Sequence, residues 1–294
     1  MKIADSCHPY AIATMIFWTL PYVFTKILLK YFSVFSIAFI RYSIASTLFI
    51  VIIITFKIKI PNKKDFKWFF LSGFFGIFSY MIVFNKGCTT VSASTSSIIL
   101  STVPVITSLM ARFFYKEKIK IFRYVAIIIE FAGVAVITIL HDISSFNIGF
   151  LWLISAAIFS SLYNILQRKL TRTYSSLQST IYSILIAEIL FFMFLPGSIP
   201  DIKNAPPIAF LYIAILGIFA SATGYLLWTK ALSKAKETST VTNYMFMIPL
   251  LTSVLGFFMI NEVPDKATII GGLMILTGMF IYNFGEMIKN KIIK

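Results

Sequence analysis

Charged residues are scarce along the whole chain. Only 13% of the 294 residues are charged and 59% are hydrophobic, whereas soluble domains have roughly a quarter charged and about half apolar. No long polar stretch separates the apolar runs, which excludes a soluble domain on a single membrane anchor. The composition therefore predicts an all-α integral membrane protein that crosses the bilayer many times.

Acidic residues, histidine and cysteine are scarcer still. The chain has 11 Asp and Glu, 2 His and 2 Cys, and Cys7 and Cys88 have no metal-ligand neighbours. Metalloprotease, serine-hydrolase and phosphate-loop motifs are missing. We therefore expect no enzyme activity, no cofactor and no metal. The net charge of +15 does not predict nucleic acid binding, because no soluble face exists to carry a basic patch.

Ten apolar segments have the length of about 20 residues that a bilayer requires. They are 9–30, 34–56, 67–86, 92–115, 120–141, 147–170, 176–196, 206–231, 238–260 and 267–287. Of the 26 Lys and Arg, nineteen lie at the two termini and in the loops after even-numbered segments, and five lie in the other loops. The positive-inside rule then predicts that both termini are cytoplasmic.

The stretch 80–133 occurs twice in the chain. A shift of 145 positions, without a gap, superposes the two copies. The matched pairs include Tyr80/Tyr225, Ser94/Ser239, Pro104/Pro249, Glu117/Glu262 and Gly133/Gly278. Each repeat holds five segments, an odd number, so the second repeat, 144–294, must enter the membrane inverted relative to the first, 1–143. Inverted repeats are typical of secondary transporters, although a channel or a non-transporting scaffold or receptor could use the same frame.

These features resemble the EamA-like branch of the drug/metabolite transporter superfamily. The resemblance rests on a mid-helix proline with a glutamate thirteen residues later in both halves, then a helix containing glycine, and on Phe17-Trp18 and Phe39-Ile40-Arg41. It implies a central cavity lined by helices 1–4 and 6–9, with helices 5 and 10 more peripheral. It also implies transport of small metabolites such as amino acids or amines. Where the family often has Trp-Gly, this chain has Trp18-Thr19.

Polar and aromatic side chains within the apolar segments are the candidate site, because an unpaired polar group in hydrocarbon is costly. The candidates for the cavity are Trp18, Tyr22, Arg41, Tyr80, Tyr163, Asn164, Gln167, Glu188, Tyr225, Trp228, Asn243 and Tyr244. The aromatic residues suit an aromatic amino acid or a quaternary amine. Arg41 and Glu188 lie at matched depths, so they are either substrate and ion sites or a structural ion pair.

A second set of residues matches in both repeats and is expected to serve the fold or its hinges: Pro104, Pro249, Glu117, Glu262, Gly133 and Gly278. Gly271, Gly278 and Gly285 form a small stripe that predicts close helix packing, either in a homodimer or within the chain.

The prediction as a whole is a secondary transporter of a small metabolite. It would work by alternating access across the bilayer, most simply a bacterial plasma membrane. Its transport would be coupled to a proton or another ion, or would proceed by exchange.

Overall fold

The computed structural model describes residues 6–116, 121–141 and 148–292, and the regular structure within these ranges is helical throughout. Ten helical segments follow one another along this described part of the chain. They are α1 (His8–Leu28), α2 (Val34–Phe56), α3 (Lys63–Thr90), α4 (Ala93–Tyr115), α5 (Ile121–His141), α6 (Ile148–Leu170), α7 (Ser176–Asn204), α8 (Pro207–Lys234), α9 (Thr238–Ile260) and α10 (Lys266–Ile292). As described, all but α5 and α10 meet the length and apolarity needed to cross a bilayer. The predicted segments are confirmed, and α3, α7 and α10 are longer than predicted.

Serine side chains fix where some of these helices begin. Ser33 Oγ accepts a hydrogen bond from the Ser36 N–H at 3.1 Å, and Ser92 Oγ accepts one from the Thr95 N–H at 3.0 Å. Each bond satisfies an amide of the first turn that has no partner within its own helix. The apolar runs of α2 and α4 therefore start directly after a polar cap.

Two helices contain π-helical stretches at positions related by the repeat. Phe74–Ser79 in α3 and Leu216–Gly224 in α8 have this geometry. A π turn holds extra backbone in each turn and rotates the residues that follow it. The two stretches end directly before Tyr80 and Tyr225, and so set the direction of these repeat-equivalent tyrosines.

The α-helical pattern of α4 and α9 also breaks at related places. In α4 a turn at 101–102 separates two helical pieces, and in α9 the residues Asn243–Phe246 form a 3₁₀ turn. Pro104 and Pro249 follow these breaks by a few residues. Proline cannot donate a backbone hydrogen bond within a helix, so each irregular turn lies where the helical bonding is already weakened.

Helix packing follows the internal repeat. Helix α1 packs against α8 and α9, and the equivalent α6 packs against α3 and α4. Helix α2 packs against α8, and its equivalent α7 packs against α3. Two helix pairs, α2 with α7 and α5 with α10, consist of repeat-equivalent partners. The architecture is therefore two inverted five-helix repeats that interlock about a pseudo-twofold axis.

The glycine stripe of α10 packs against α5 of the same chain. A Cβ on Gly278 would stand 2.6 Å from Glu130 Cγ, and a Cβ on Gly133 would stand 2.7 Å from the Gly271 carbonyl oxygen. A Cβ on Gly285 would meet the Phe122 ring at 2.7 Å. The sequence left open whether the glycine stripe packs in a homodimer or within the chain, and the structure shows the contact within the chain.

Candidate functional site

A small cavity lies between the two repeats. Its volume is about 30 Å³, which is room for about two water molecules. Its lining is Trp18, Pro21, Tyr22, Arg41, Gly76, Tyr80, Leu100, Ser160, Tyr163, Tyr225, Met245 and Ile248. These residues belong to α1–α4, α6, α8 and α9, and among the described residues α7 adds none. The structure thus brings together six of the twelve predicted cavity residues.

Aromatic rings form one continuous wall of the cavity. The Trp18 ring centroid lies 5.3 Å from that of Tyr225 and 4.9 Å from that of Trp228, and Tyr163 meets Tyr225 edge to face at 5.2 Å. Trp18 Nε1 donates to the Ala220 carbonyl at 3.2 Å. Edge and tilted contacts of this kind hold each ring against the next, so the wall presents aromatic surface to the cavity.

Gly76 is a lining residue that the sequence reasoning missed. A Cβ at this position would stand 2.5 Å from Tyr163 Cδ2, so the absence of a side chain lets Tyr163 enter the wall. Gly76 lies in the π-helical stretch of α3, and the 145-residue shift carries it onto Ser221 in the stretch of α8. Extending the repeat a few residues before Tyr80 would have drawn attention to both positions. Leu100, Met245 and Ile248 were also missed, and their apolar character gave no signal.

Arg41 is the charged residue of the cavity lining. Its side chain is 2% exposed. Its Nε donates to Ser221 Oγ at 2.5 Å, its Nη1 lies 3.7 Å from Met81 Sδ, and its guanidinium lies 5.8 Å from the Tyr42 ring centroid. Among the described residues, no carboxylate forms an ion pair with it. A guanidinium enclosed in this way retains donors for an anionic ligand.

Glu188 lies outside the cavity lining and is not paired with Arg41. Its Oε1 accepts a hydrogen bond from Ser43 Oγ at 2.6 Å, and its Oε2 has no hydrogen-bond partner among the described residues. Arg41 and Ser43 are two residues apart on α2, which separates their directions by about 200° around a helix. Helix α7 therefore meets the face of α2 opposite to Arg41. The predicted ion pair between Arg41 and Glu188 is therefore wrong, because the two side chains point to opposite faces of α2.

The two buried amides of α6 join helices behind the wall. Asn164 Oδ1 accepts from Trp228 Nε1 at 2.8 Å, and its Nδ2 donates to Thr107 Oγ1 at 3.2 Å. Gln167 Nε2 donates to the hydroxyls of Ser72 (2.9 Å) and Ser183 (3.0 Å). Neither amide is among the cavity-lining residues, so their hydrogen bonds position Trp228 and the neighbouring helices.

Two further candidates, Asn243 and Tyr244, lie in the 3₁₀ turn of α9 and outside the lining. Asn243 is half-buried and its Oδ1 has no hydrogen-bond partner among the described residues. The Tyr244 hydroxyl is 2.6 Å from His8 Nδ1. Within the described ranges no group of three His, Cys, Asp or Glu could hold a metal ion.

Glu262 caps the start of α4. Its two carboxylate oxygens accept hydrogen bonds from the Ser94 N–H at 2.8 Å and the Ala93 N–H at 3.0 Å. Asn261, directly before it, ends α9 in the left-handed conformation with φ 51°, and the repeat-equivalent Lys116 ends α4 in the same way with φ 56°. The carboxylate favours this place because a helix N-terminus presents free N–H groups and positive potential. The equivalent Glu117 lies outside the described residues.

The fold and the site define the class of protein: a polytopic helical membrane protein with two inverted repeats around an enclosed polar and aromatic cavity. The family model of the EamA-like transporter family matches residues 6–139 and again 147–284. The chain belongs to this family of transporters.

Similar proteins of known sequence agree with this assignment. An uncharacterized transporter of Archaeoglobus fulgidus is 30% identical over 91% of this chain and 95% of its own length. A probable terminal-alkyne amino-acid exporter of Streptantibioticus cattleyicolor is 22% identical over 92% of this chain and 91% of its own. An S-adenosylmethionine uptake transporter of Rickettsia bellii is 27% identical over 88% and 87%.

A solved structure shares the fold. Its TM-score is 0.71 with 14% sequence identity, and the match covers 95% of this chain and 97% of the other.

Proposed function

We propose that the protein is a secondary transporter that moves a small metabolite of the amino-acid or amine class across the plasma membrane by alternating access. The observation that carries the proposal is Arg41, a buried cation without a carboxylate partner among the described residues, in a cavity walled by aromatic rings. A guanidinium binds a carboxylate through two parallel hydrogen bonds. Aromatic faces attract a cationic or aromatic group at the other end of the same ligand. Amino acids and their derivatives combine these two features.

The relatives support this choice of ligand class. The names of two of them refer to an amino acid and to S-adenosylmethionine. Both are compounds in which an amino-acid carboxylate is joined to a distinct second group. The names refer to opposite directions of transport, export in one and uptake in the other.

The small volume of the cavity supports alternating access. A space of about 30 Å³ admits water but no metabolite, so the substrate enters only if the repeats move apart. Hydrogen bonds close the N-termini of two repeat-equivalent helices. Glu262 holds the start of α4, while Arg168 donates to Thr238 Oγ1 and to the Lys236 carbonyl at the start of α9.

The proposed placement in the membrane follows the charges of the loops. The halves 1–143 and 144–294 would enter the bilayer in opposite directions, with both termini cytoplasmic. The contact at Glu262 would then face outward and the contact at Arg168 inward. Opening one contact at a time would expose the cavity to one side at a time, which is the requirement of alternating access.

Arg41 variants test the proposal. Thermal-shift measurements across amino acids, amines, nucleosides and S-adenosylmethionine identify the compounds that stabilise the purified protein. The best stabiliser is then followed as a radiolabel in counterflow into proteoliposomes. We expect Arg41→Ala and Arg41→Lys to weaken binding roughly ten- to hundredfold, because charge-assisted hydrogen bonds contribute about 1.5–3 kcal/mol.

Arg172→Lys is the matched control, because Arg172 is exposed and lies outside the cavity. Unchanged counterflow in both Arg41 variants would remove Arg41 from the site. If no compound in the panel stabilises the wild-type protein or gives counterflow, the scaffold or receptor alternative replaces the transporter. Flux without saturation or counterflow would favour a channel.

A further inference from the structure

The contact between α5 and α10 contains a buried carboxylate that the cavity does not use. Glu130, on α5, is 0% exposed. Both of its carboxylate oxygens lack a hydrogen-bond partner among the described residues. A Cβ on Gly278 of α10 would stand only 2.6 Å from Glu130 Cγ. The Glu130 side chain therefore fills the space that this glycine leaves. An ionised carboxylate without partners in such a place is very costly, so the packed contact favours the neutral, protonated form of Glu130.

The internal repeat shows that packing does not require a carboxylate here. The 145-residue shift carries Glu130 onto Ile275 and Gly278 onto Gly133. Ile275 occupies the equivalent place, since a Cβ on Gly133 would stand 2.7 Å from Ile275 Cγ1. One side of the contact is thus filled by isoleucine and the other by glutamate. At the equivalent position, the apolar side chain of Ile275 therefore serves the packing role that Glu130 serves here.

Other polar groups continue from Glu130 toward one end of the helix pair. Arg123 precedes Glu130 by seven residues, two turns on the same face of α5. Its guanidinium lies 4.9 Å from the ring centroid of Tyr282 on α10, and Tyr282 is within electrostatic reach of Glu130. Arg123 Nε lacks a hydrogen-bond partner among the described residues, and Ser108 of α4 lies beside the Tyr282 hydroxyl. In the proposed orientation this end is cytoplasmic.

A second arginine and a second tyrosine lie nearer that end. Arg112 of α4 has its guanidinium 5.9 Å from the ring centroid of Tyr124 on α5. Among the described residues, Tyr282 is the titratable group shown within electrostatic reach of Glu130, Arg123 follows Tyr282 toward the cytoplasmic end, and no second carboxylate acts on Glu130. A proton on Glu130 is accordingly not shared with another acid, and positive charge at the cytoplasmic end favours its release when water enters.

We propose that Glu130 is the proton-binding site that couples transport to a proton gradient, in the contact between α5 and α10 and separate from the substrate cavity. The proposal rests on the proposed transport function. While α5 and α10 are packed at Gly278, the carboxyl group holds its proton. When the helices separate during the change of state, water reaches the group and the proton passes to solvent. Rebinding of a proton is then required before the contact closes again.

Infrared spectroscopy tests the proton directly and needs no metabolite. Wild-type protein in liposomes at neutral pH is expected to show the C=O stretch of a protonated carboxylic acid. Glu130→Gln should lose most of that component, and Glu188→Gln should lose less of it, because Ser43 donates a hydrogen bond to the Glu188 carboxylate. A component that persists unchanged in Glu130→Gln would overturn the assignment, because the proton would then belong to another group.

Transport measurements test the coupling. With the radiolabelled panel compound that gives counterflow, Glu130→Gln and Glu130→Ile should retain counterflow but lose accumulation driven by an imposed pH gradient, with the accumulation ratio falling to one. Ile275→Val, a packing change at the equivalent site, should keep gradient-driven accumulation. Accumulation at the wild-type level in either Glu130 variant would overturn the proposal.

The two proposals fail separately. Loss of the infrared component in Glu130→Gln together with absent counterflow in the wild type would sink the transport function and leave the protonated group. Wild-type counterflow with no response to a pH gradient would leave transport and sink the coupling. Glu130→Ile covers the case in which the glutamine variant does not fold, since isoleucine already fills the equivalent space at Ile275.

Discussion

A single missing side chain sets the position of the cavity wall. Gly76 lets the Tyr163 ring approach, because a Cβ there would lie 2.5 Å from Cδ2 and 2.6 Å from Cβ of Tyr163. Gly224 does the same for Trp18, whose Nε1 would be 2.9 Å from an added Cβ. The neighbours in both cases are rings already held by other rings. The wall therefore has little freedom to yield.

We expect Gly76→Ala to destabilise the protein by about 1–3 kcal/mol, the usual effect of inserting a methyl group into a packed interior. It should also weaken binding of any compound that stabilises the wild type, because Tyr163 must leave the wall. Thermal unfolding with and without that compound measures both effects. Gly197→Ala is the control, because no atom lies within 4 Å of an added Cβ there. Equal melting temperatures for the two variants would show that the Tyr163 ring moves freely.

At the scale of helices, the sequence predicts positions well and local geometry poorly. The ten segments and the repeat could be read from apolar runs and from the 145-residue shift, because both depend on the sequence alone. The π turns at Phe74–Ser79 and Leu216–Gly224 could not, since their hydrogen-bond pattern is set by contacts with other helices. The same limit applies to Glu188. Its depth was readable, but the face of α2 that meets α7 was not.

Glu262 illustrates how one helix end can control access. Its carboxylate accepts hydrogen bonds from two amides at the start of α4, and Cys88, which is 0% exposed, lies close enough to Glu262 to interact with it electrostatically. Hydrogen bonds to a charged group contribute about 1.5–3 kcal/mol. Their loss should shift the protein toward conformations in which this side is open.

We expect Glu262→Gln, in a Cys7→Ser background, to increase labelling of Cys88 by a membrane-impermeant maleimide several-fold. The glutamine keeps one acceptor oxygen but has no charge and cannot accept with both terminal atoms. Glu237→Gln is the control, because Glu237 lies at the start of the repeat-equivalent helix α9 and should leave Cys88 protected. Labelling that stays at the wild-type level in Glu262→Gln would mean that other contacts close this side.

At the scale of the whole molecule, contacts on the pseudo-twofold axis differ in kind from the rest. Ser43 and Glu188 are one repeat length of 145 positions apart, and Ser43 Oγ donates a hydrogen bond to Glu188 Oε1 at 2.6 Å. The contact of Glu130 with Gly278 is of the other kind, because the repeat maps it onto a different contact, that of Ile275 with Gly133. When two inverted halves exchange conformations, contacts away from the axis exchange with their equivalents. A contact on the axis maps onto itself and can persist throughout.

This symmetry predicts the outcome of a residue swap at the axis. Ser43→Glu alone places two carboxyl groups together, and Glu188→Ser alone removes the acceptor, so each should lower stability by about 1–3 kcal/mol. The double variant Ser43→Glu with Glu188→Ser restores the hydrogen bond, with the donor now on α7 and the acceptor on α2. We expect it to recover the wild-type melting temperature and counterflow, with an interaction free energy of about 1–3 kcal/mol in the double-mutant cycle. If stability returns but counterflow does not, Glu188 must act from its own helix on a substrate or ion, because the contact on the axis would be intact.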